Sequence, residues 1–242
     1  MSLIAIRASD GTEIESFSID RDIWKVMQKQ PLGTYVMNRT HWPAVLKRSI
    51  RGLQFFAYAA GYTGIKPEPE SLHHQLSKVI IASTLRAAGY SAKVEQQGST
   101  PEGEEWQADV LSEANGRTIA FEVQLSQQTL DEYQSRSDRY LRSGVKTIWL
   151  VRAKNYRTLT NALLYRYGGS DGFSLRPAVP HIAALPFEIG ELKESAVEDL
   201  RVVVFLNTDA ASAQRISLAE FAIGVAEGRL SFSAKEWRWK VV

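Results

Sequence analysis

The chain has 242 residues, 44% hydrophobic and 23% charged, with a formal net charge of +2 and no cysteine. This is the composition of an ordinary soluble globular protein, long enough for one large domain or a core with smaller additions. The missing cysteine excludes disulfides, thiol catalysis and thiolate zinc sites and fits a reducing compartment, while the small net charge means that any basic footprint for nucleic acid must be local.

No stretch approaches the ~20 apolar residues of a membrane span, and the first ten residues lack the basic-then-apolar layout of a secretion signal. A cytoplasmic location is the expectation. Residues 1–66 open with strand-like runs at Leu3–Arg7 and Glu13–Ile19, separated by Asp10-Gly11, and a short helix is expected over Asp20–Lys29. Lys47, Arg48 and Arg51 form a local basic cluster that could contact phosphate, although such clusters are most often solvated surface. The section ends in a Gly/Pro-rich linker, Ala59–Pro69.

The second section, residues 67–155, begins with a helix. Ser71 is its expected N-cap, and Leu72, Leu76, Val79, Ile80 and Leu85 space as a buried face up to Gly89. Glu70, His74 and Lys78 fall four residues apart and drift only slightly around that helix. On spacing alone they cap and solvate the helix as readily as they do chemistry. Ser91–Gln96 reads as a strand, and its Glu95 is a candidate carboxylate, though a lone glutamate there is more often a solvated charge.

A hairpin comes next. Asn115-Gly116 is a strong two-residue turn signal, because a type I′ turn needs φ > 0 at both positions. That loop sets Asp109 opposite Glu122 and Gln107 opposite Gln124. Directly opposed residues have Cβ atoms roughly 4.5–5.5 Å apart, so two carboxylates there repel unless a cation lies between them. Mg²⁺ would resolve the repulsion and could activate water toward a phosphodiester. By the period of two, Ile119, Phe121, Val123 and Leu125 face one way, and Asp109, Glu122, Gln107 and Gln124 the other.

A helix over Gln127–Ser143 and an all-apolar strand over Thr147–Val151 follow. They complete a βαβ crossover, whose parallel strands are usually covered on both faces. The order is αβββαβ. Tyr133, Arg136 and Tyr140 share one face of the second helix. That stripe suits a nucleic-acid backbone and its bases, and equally suits packing on the sheet with Arg136 paired to a carboxylate. In the third section, residues 156–242, Leu200–Leu206 reads as a strand, Ser217–Glu227 as a helix closed by Gly228, and Trp237 and Trp239 as packing residues.

Asp109 with Glu122-Val-Gln124 reads as D-x(n)-E-x-Q, a variant of the D-x(n)-E-x-K core of restriction-endonuclease-like nucleases. The wider run is more specific: Glu70–Lys78, Glu95, Ala108-Asp-Val110, Ile119–Thr129, Glu132-Tyr133, Arg136, Tyr140 and Ile148-Trp-Leu150. It closely resembles the CoiA-like competence protein family, best over residues 70–151. The resemblance implies an α/β restriction-endonuclease-like core, a mixed sheet flanked by helices, with small N- and C-terminal additions. It implies that Asp109 and Glu122 bind metal, that Gln124 holds the usual lysine position, and that His73, His74, Lys78, Arg136 and Tyr140 support the site. Such families are nuclease-like and linked to natural transformation, where incoming single-stranded DNA is handled before recombination. Many relatives carry a Cys-containing metal ribbon near the N-terminus. Here there is no cysteine, and Tyr58 stands where a histidine is expected, so residues 1–66 read as a Cys-less remnant.

The expected activity is hydrolysis of DNA with Mg²⁺ or Mn²⁺. Asp109, Glu122 and the Val123 carbonyl would hold the ion, with Glu95 a further candidate ligand. Gln124 can only orient water or phosphate through its amide, or else is simply a polar strand residue. Lys78 would supply the missing lysine. The other reading is a DNA-binding adaptor in recombination or DNA uptake that does not cut, and a third is a structural protein whose polar hairpin face meets a partner protein.

Overall fold

The computed structural model describes residues 1–65, 70–167, 179–190, 200–206, 212–233 and 236–241. Residues 66–69 of the expected linker lie outside them. The chain divides into two compact units, Met1–Leu76 and Ser77–Val242. Among the described residues no helix is long and apolar enough to cross a membrane.

The first unit holds a three-stranded antiparallel sheet of β1 (Ile4–Arg7), β2 (Glu13–Glu15) and β3 (Tyr35–Met37), with β1 in the middle. Between β2 and β3 runs α1 (Arg21–Met27), whose cap is the Asp20 carboxylate, accepting from the Asp22 and Ile23 amides. A separate hairpin pairs β4 (Ala44–Arg48) with β5 (Gln54–Tyr58). Strand β2 is shorter than the sequence suggests, because Ser16–Ser18 turn into a 3₁₀ helix. The Ser16 hydroxyl donates to the Gln54 carbonyl, and the Gln54 amide donates to the Ser16 and Ile19 carbonyls. These bonds satisfy buried polar groups that a longer ladder would otherwise have paired. Trp24 meets Phe56 edge-on at 5.1 Å in the core.

Helix α2 (Leu72–Ala87) starts where Ser71 predicts, and the Ser71 hydroxyl accepts from the His74 amide at 3.2 Å. The main sheet has seven strands: β6 (Ser91–Ser99), β7 (Glu105–Ala114), β8 (Arg117–Gln124), β9 (Val145–Arg152), β10 (Ala183–Ile189), β11 (Leu200–Phe205) and β12 (Ala213–Ser217), neighbours in that order. The first three pair antiparallel, β8, β9 and β10 run parallel, and β11 and β12 return antiparallel. The α/β mixed sheet and the αβββαβ order are therefore present. Helix α3 (Leu130–Arg142) carries the crossover from β8 to β9. It starts later than Gln127 because Thr129 and Glu132 form a capping box that fixes its first turn.

Residues Ile119–Gln124 of β8 are all buried, as a parallel strand covered on both faces should be. After β9 comes α4 (Ala153–Tyr167), a helix the sequence pattern does not announce. Further on are α5 (Leu218–Glu227), capped by Ser217 and closed by Gly228 at φ 86°, and a hairpin of β13 (Leu230–Ser233) and β14 (Glu236–Trp239). Trp237 and Trp239 are buried packing residues there, 7% and 2% exposed.

Candidate functional site

The β7–β8 turn is the two-residue loop Asn115-Gly116, with φ 51° and 71°. Its register runs from Ala114↔Arg117 to Val110↔Phe121 and stops one pair short of Asp109 and Glu122. There the Asp109 carboxylate accepts the Val123 amide at 2.8 Å. On the other edge of β7, pairing with β6 passes from Val94↔Val110 to Gln96↔Ala108. Glu95 is left opposite Asp109 with φ 52°. A non-glycine residue at such φ is uncommon, and held strain of this kind clusters at functional sites. Asp109 thus stands at a break in both ladders.

Glu122 is 1% exposed. Its Oε2 accepts from Arg136 Nη2 at 2.5 Å, and its Oε1 accepts from the Tyr140 hydroxyl. That phenol has one proton and a second acceptor, the Gln107 carbonyl at 2.9 Å. Arg136 comes from α3, and its guanidinium lies 4.6 Å over the ring of Trp149, the β9 residue in register with Glu122. Burial opposes the charge of Arg136, but Glu122 and Asp109 outweigh it and raise its pKa. Burial, then Glu122, pushes the Tyr140 hydroxyl well above the ordinary phenol range. Gln124 donates its amide to the Ser126 carbonyl and hydroxyl at 3.0 and 2.8 Å, and its oxygen faces Arg136 at 3.5 Å.

Lys78 is 0% exposed, and its Nζ lies 2.9 Å from Glu95 Oε1. Gln107 holds the same residue by donating to the Glu95 carbonyl at 3.2 Å. The lysine amine therefore reaches the strand position that faces Asp109. Glu70 Oε2 lies 3.7 Å from His74 Nδ1, and His73 precedes it on α2.

Tyr133 and Tyr140 are each 1% exposed, so neither ring is placed to stack on a base. Tyr133 packs edge-on against Trp149 at 4.9 Å, and Tyr140 lies 5.0 Å from Trp106. Burial explains this: the α3 face carrying them is the face laid on the sheet. Lys47 and Arg48 are exposed on β4 and Arg51 in the turn after it, with Arg48 Nε donating to the Gly52 carbonyl at 3.1 Å. The sequence reading did not single out Trp149 as the platform for Arg136. The parallel register of β8 and β9 is the signal that could have found it.

A helix, an antiparallel meander and a parallel crossover, with Lys78 of α2 paired to Glu95 of β6 and Arg136 of α3 paired to buried Glu122 of β8, are compatible with a nuclease-like core. Residues 70–166 match the family described as "Competence protein CoiA, nuclease-like domain". Over those residues the chain is similar to a CoiA nuclease-like domain. No curated protein matches the chain. A solved structure described as "Crystal Structure of Protein of Unknown Function AF1548" is similar over 33% of this chain and 46% of that one, at 17% identity and a TM-score of 0.27. The chain spans less than half of that protein, and a likeness so slight carries no argument.

Proposed function

We propose that residues 70–166 form a divalent-metal-dependent nuclease acting on DNA. The observation that carries the reading is the break in both ladders at Asp109, beside buried Glu122 and the amine of Lys78, inside a segment matched to a nuclease-like family. The donor chemistry fits a divalent cation: carboxylates and a backbone carbonyl suit Mg²⁺ and Mn²⁺. Asp109 and Glu122 are the proposed ligands, with the Val123 carbonyl completing the set. When bound, the ion would polarise the phosphoryl oxygen and lower the pKa of the attacking water.

The chain's own residues have separate tasks. Glu95 fixes the Lys78 amine, and Lys78 and Gln124 position water and the scissile phosphate. Arg136, held cationic beside Glu122, offsets charge that develops on the phosphoryl group. The Lys47, Arg48 and Arg51 cluster contributes phosphate contacts. The family description links the domain to competence, and single-stranded DNA handled before recombination is the proposed substrate, with recombination or competence proteins as partners.

One observation favours a second reading, a DNA-binding adaptor that does not cut. Both Glu122 oxygens and the Gln124 amide already have partners within the protein. The test is a nuclease assay on single- and double-stranded DNA with Mg²⁺ or Mn²⁺, run beside Glu122→Ala and Asp109→Asn, each checked for folding by circular dichroism. Cleavage by the parent that both variants lose supports the enzyme. DNA binding without cleavage in either metal supports the adaptor.

A further inference from the structure

Helix α4 starts beside the candidate site and has no part in the proposed chemistry. Arg152 closes β9 directly after Val151, which is in register with Gln124. Asn155 then donates to the Leu125 carbonyl at 3.1 Å, tying the first turn of α4 to the residue after Gln124. At the other end of the helix, Arg166 reaches Asp131 and Gln134 of α3 at 2.5 and 2.7 Å. The helix is therefore fastened at both ends. Leu159 and Leu163 are buried with Trp149 and Val151, while Lys154, Arg157, Asn161 and Tyr165 line the opposite face, all exposed. No acidic residue stands on α4, and Arg152, Lys154 and Arg157 make no ion pair among the described residues. Lys154 lies in the first turn, where the helix dipole disfavours a cation. Tyr165 is 95% exposed, and its ring meets no other ring among the described residues.

We infer that the outer face of α4 is a track for single-stranded DNA running to the site, an inference that rests on the reading of residues 70–166 as a DNA-processing domain. Arg152, Lys154 and Arg157 meet phosphates, and Tyr165 stacks on a base. From Lys154 to Tyr165 the face extends about 16 Å along the helix axis. Cations without acidic partners, one of them in a turn that disfavours it, are answered by an anion from outside the chain. An exposed flat ring on a fixed helix, in line with cations, is the platform that unpaired bases use, and a duplex offers it no open base. A membrane surface fits worse, because Leu159 and Leu163 already lie against the sheet and leave no broad apolar face to insert.

The test is fluorescence anisotropy of a labelled oligothymidylate and of a duplex of the same length, with the full chain in EDTA so that binding is read without cleavage. The parent should prefer the single strand. Lys154→Gln/Arg157→Gln should bind it about tenfold more weakly, with the slope of log K against log salt shallower by about 1.4. Arg21→Gln/Lys29→Gln makes the same charge change in the first unit and should bind as the parent does. Tyr165→Ala should lose about fivefold or more, and Tyr165→Phe should lose little. These results with no cleavage by the parent in Mg²⁺ or Mn²⁺ would support the track and remove only the nuclease. Cleavage by the parent, with parental affinity and salt slope in Lys154→Gln/Arg157→Gln, would overturn the track and leave the nuclease standing. No preference for the single strand, an equal loss in the Arg21→Gln/Lys29→Gln control, or binding of phosphatidylserine vesicles in place of DNA would also overturn it.

Discussion

Lys78 and Glu95 form an ion pair of 2.9 Å whose side chains are 0% and 9% exposed. An ammonium and a carboxylate so far from water support one another, because removing either takes a compensating charge away from the other. Lys78→Met should therefore cost about 3–5 kcal/mol, whereas the double variant Lys78→Met/Glu95→Leu should recover much of the loss. Urea unfolding of the two single variants and the double measures this. A double variant no more stable than the weaker single would show that the pair is not coupled.

The same lysine separates enzyme from binder. A group used mainly in the transition state adds little to ground-state affinity. Under conditions where it remains folded, Lys78→Met should lower DNA cleavage far more than DNA binding. Arg136→Met should weaken both and flatten the salt dependence of binding, because a phosphate contact is lost. Equal losses of cleavage and affinity in Lys78→Met would remove it from the chemical step.

Metal binding should register in the fold itself. A cation that binds the native protein and not the unfolded chain stabilises it by about 2.7 kcal/mol at a hundredfold excess over Kd. Thermal melts should rise with Mg²⁺ or Mn²⁺, and the rise should fade toward acid pH as carboxylate ligands protonate. Asp109→Asn and Glu122→Gln should melt alike with and without metal. Superimposable parent curves would mean that the proposed centre does not form in the absence of DNA.

Local signals in the sequence carried much of this fold. Asn115-Gly116 had to turn because both positions need positive φ, and the apolar spacing from Leu72 to Leu85 could only be a helix face. The βαβ crossover followed from one amphipathic segment before one all-apolar strand. Helix α4 was not legible: only Leu159 and Leu163 are buried among many exposed polar residues, so its period is faint. Within the candidate site, the residue types could be read, but not their pairings. The positive φ of Glu95, the Asp109–Val123 bond and the turning of Gln124 toward Ser126 arise where two ladders end. Such ends depend on tertiary packing and leave no periodic trace in the chain. The missed capping box at Thr129 was readable, since Thr-x-x-Glu stands directly before the helix.

The alkaline limit of stability should be set at the α3–sheet contact. Burial raises the pKa of Tyr133, partly offset by Arg136, and burial with Glu122 raises that of Tyr140. Both phenols thus keep their protons in the fold at pH values where the unfolded chain, with the ordinary tyrosine pKa of about 10, gives them up. The unfolded state then binds fewer protons, so stability falls as pH rises. The contribution is whole below about pH 10 and is lost progressively above it. Ultraviolet titration of tyrosinate should find the Tyr133 and Tyr140 phenols silent until the protein unfolds. Tyr140→Phe should flatten the decline, at a cost near neutrality of about 1–3 kcal/mol, because Glu122 and the Gln107 carbonyl lose their shared donor. If Tyr133 and Tyr140 ionise near pH 10 while circular dichroism still reports a folded chain, the phenols are not sealed between α3 and the sheet.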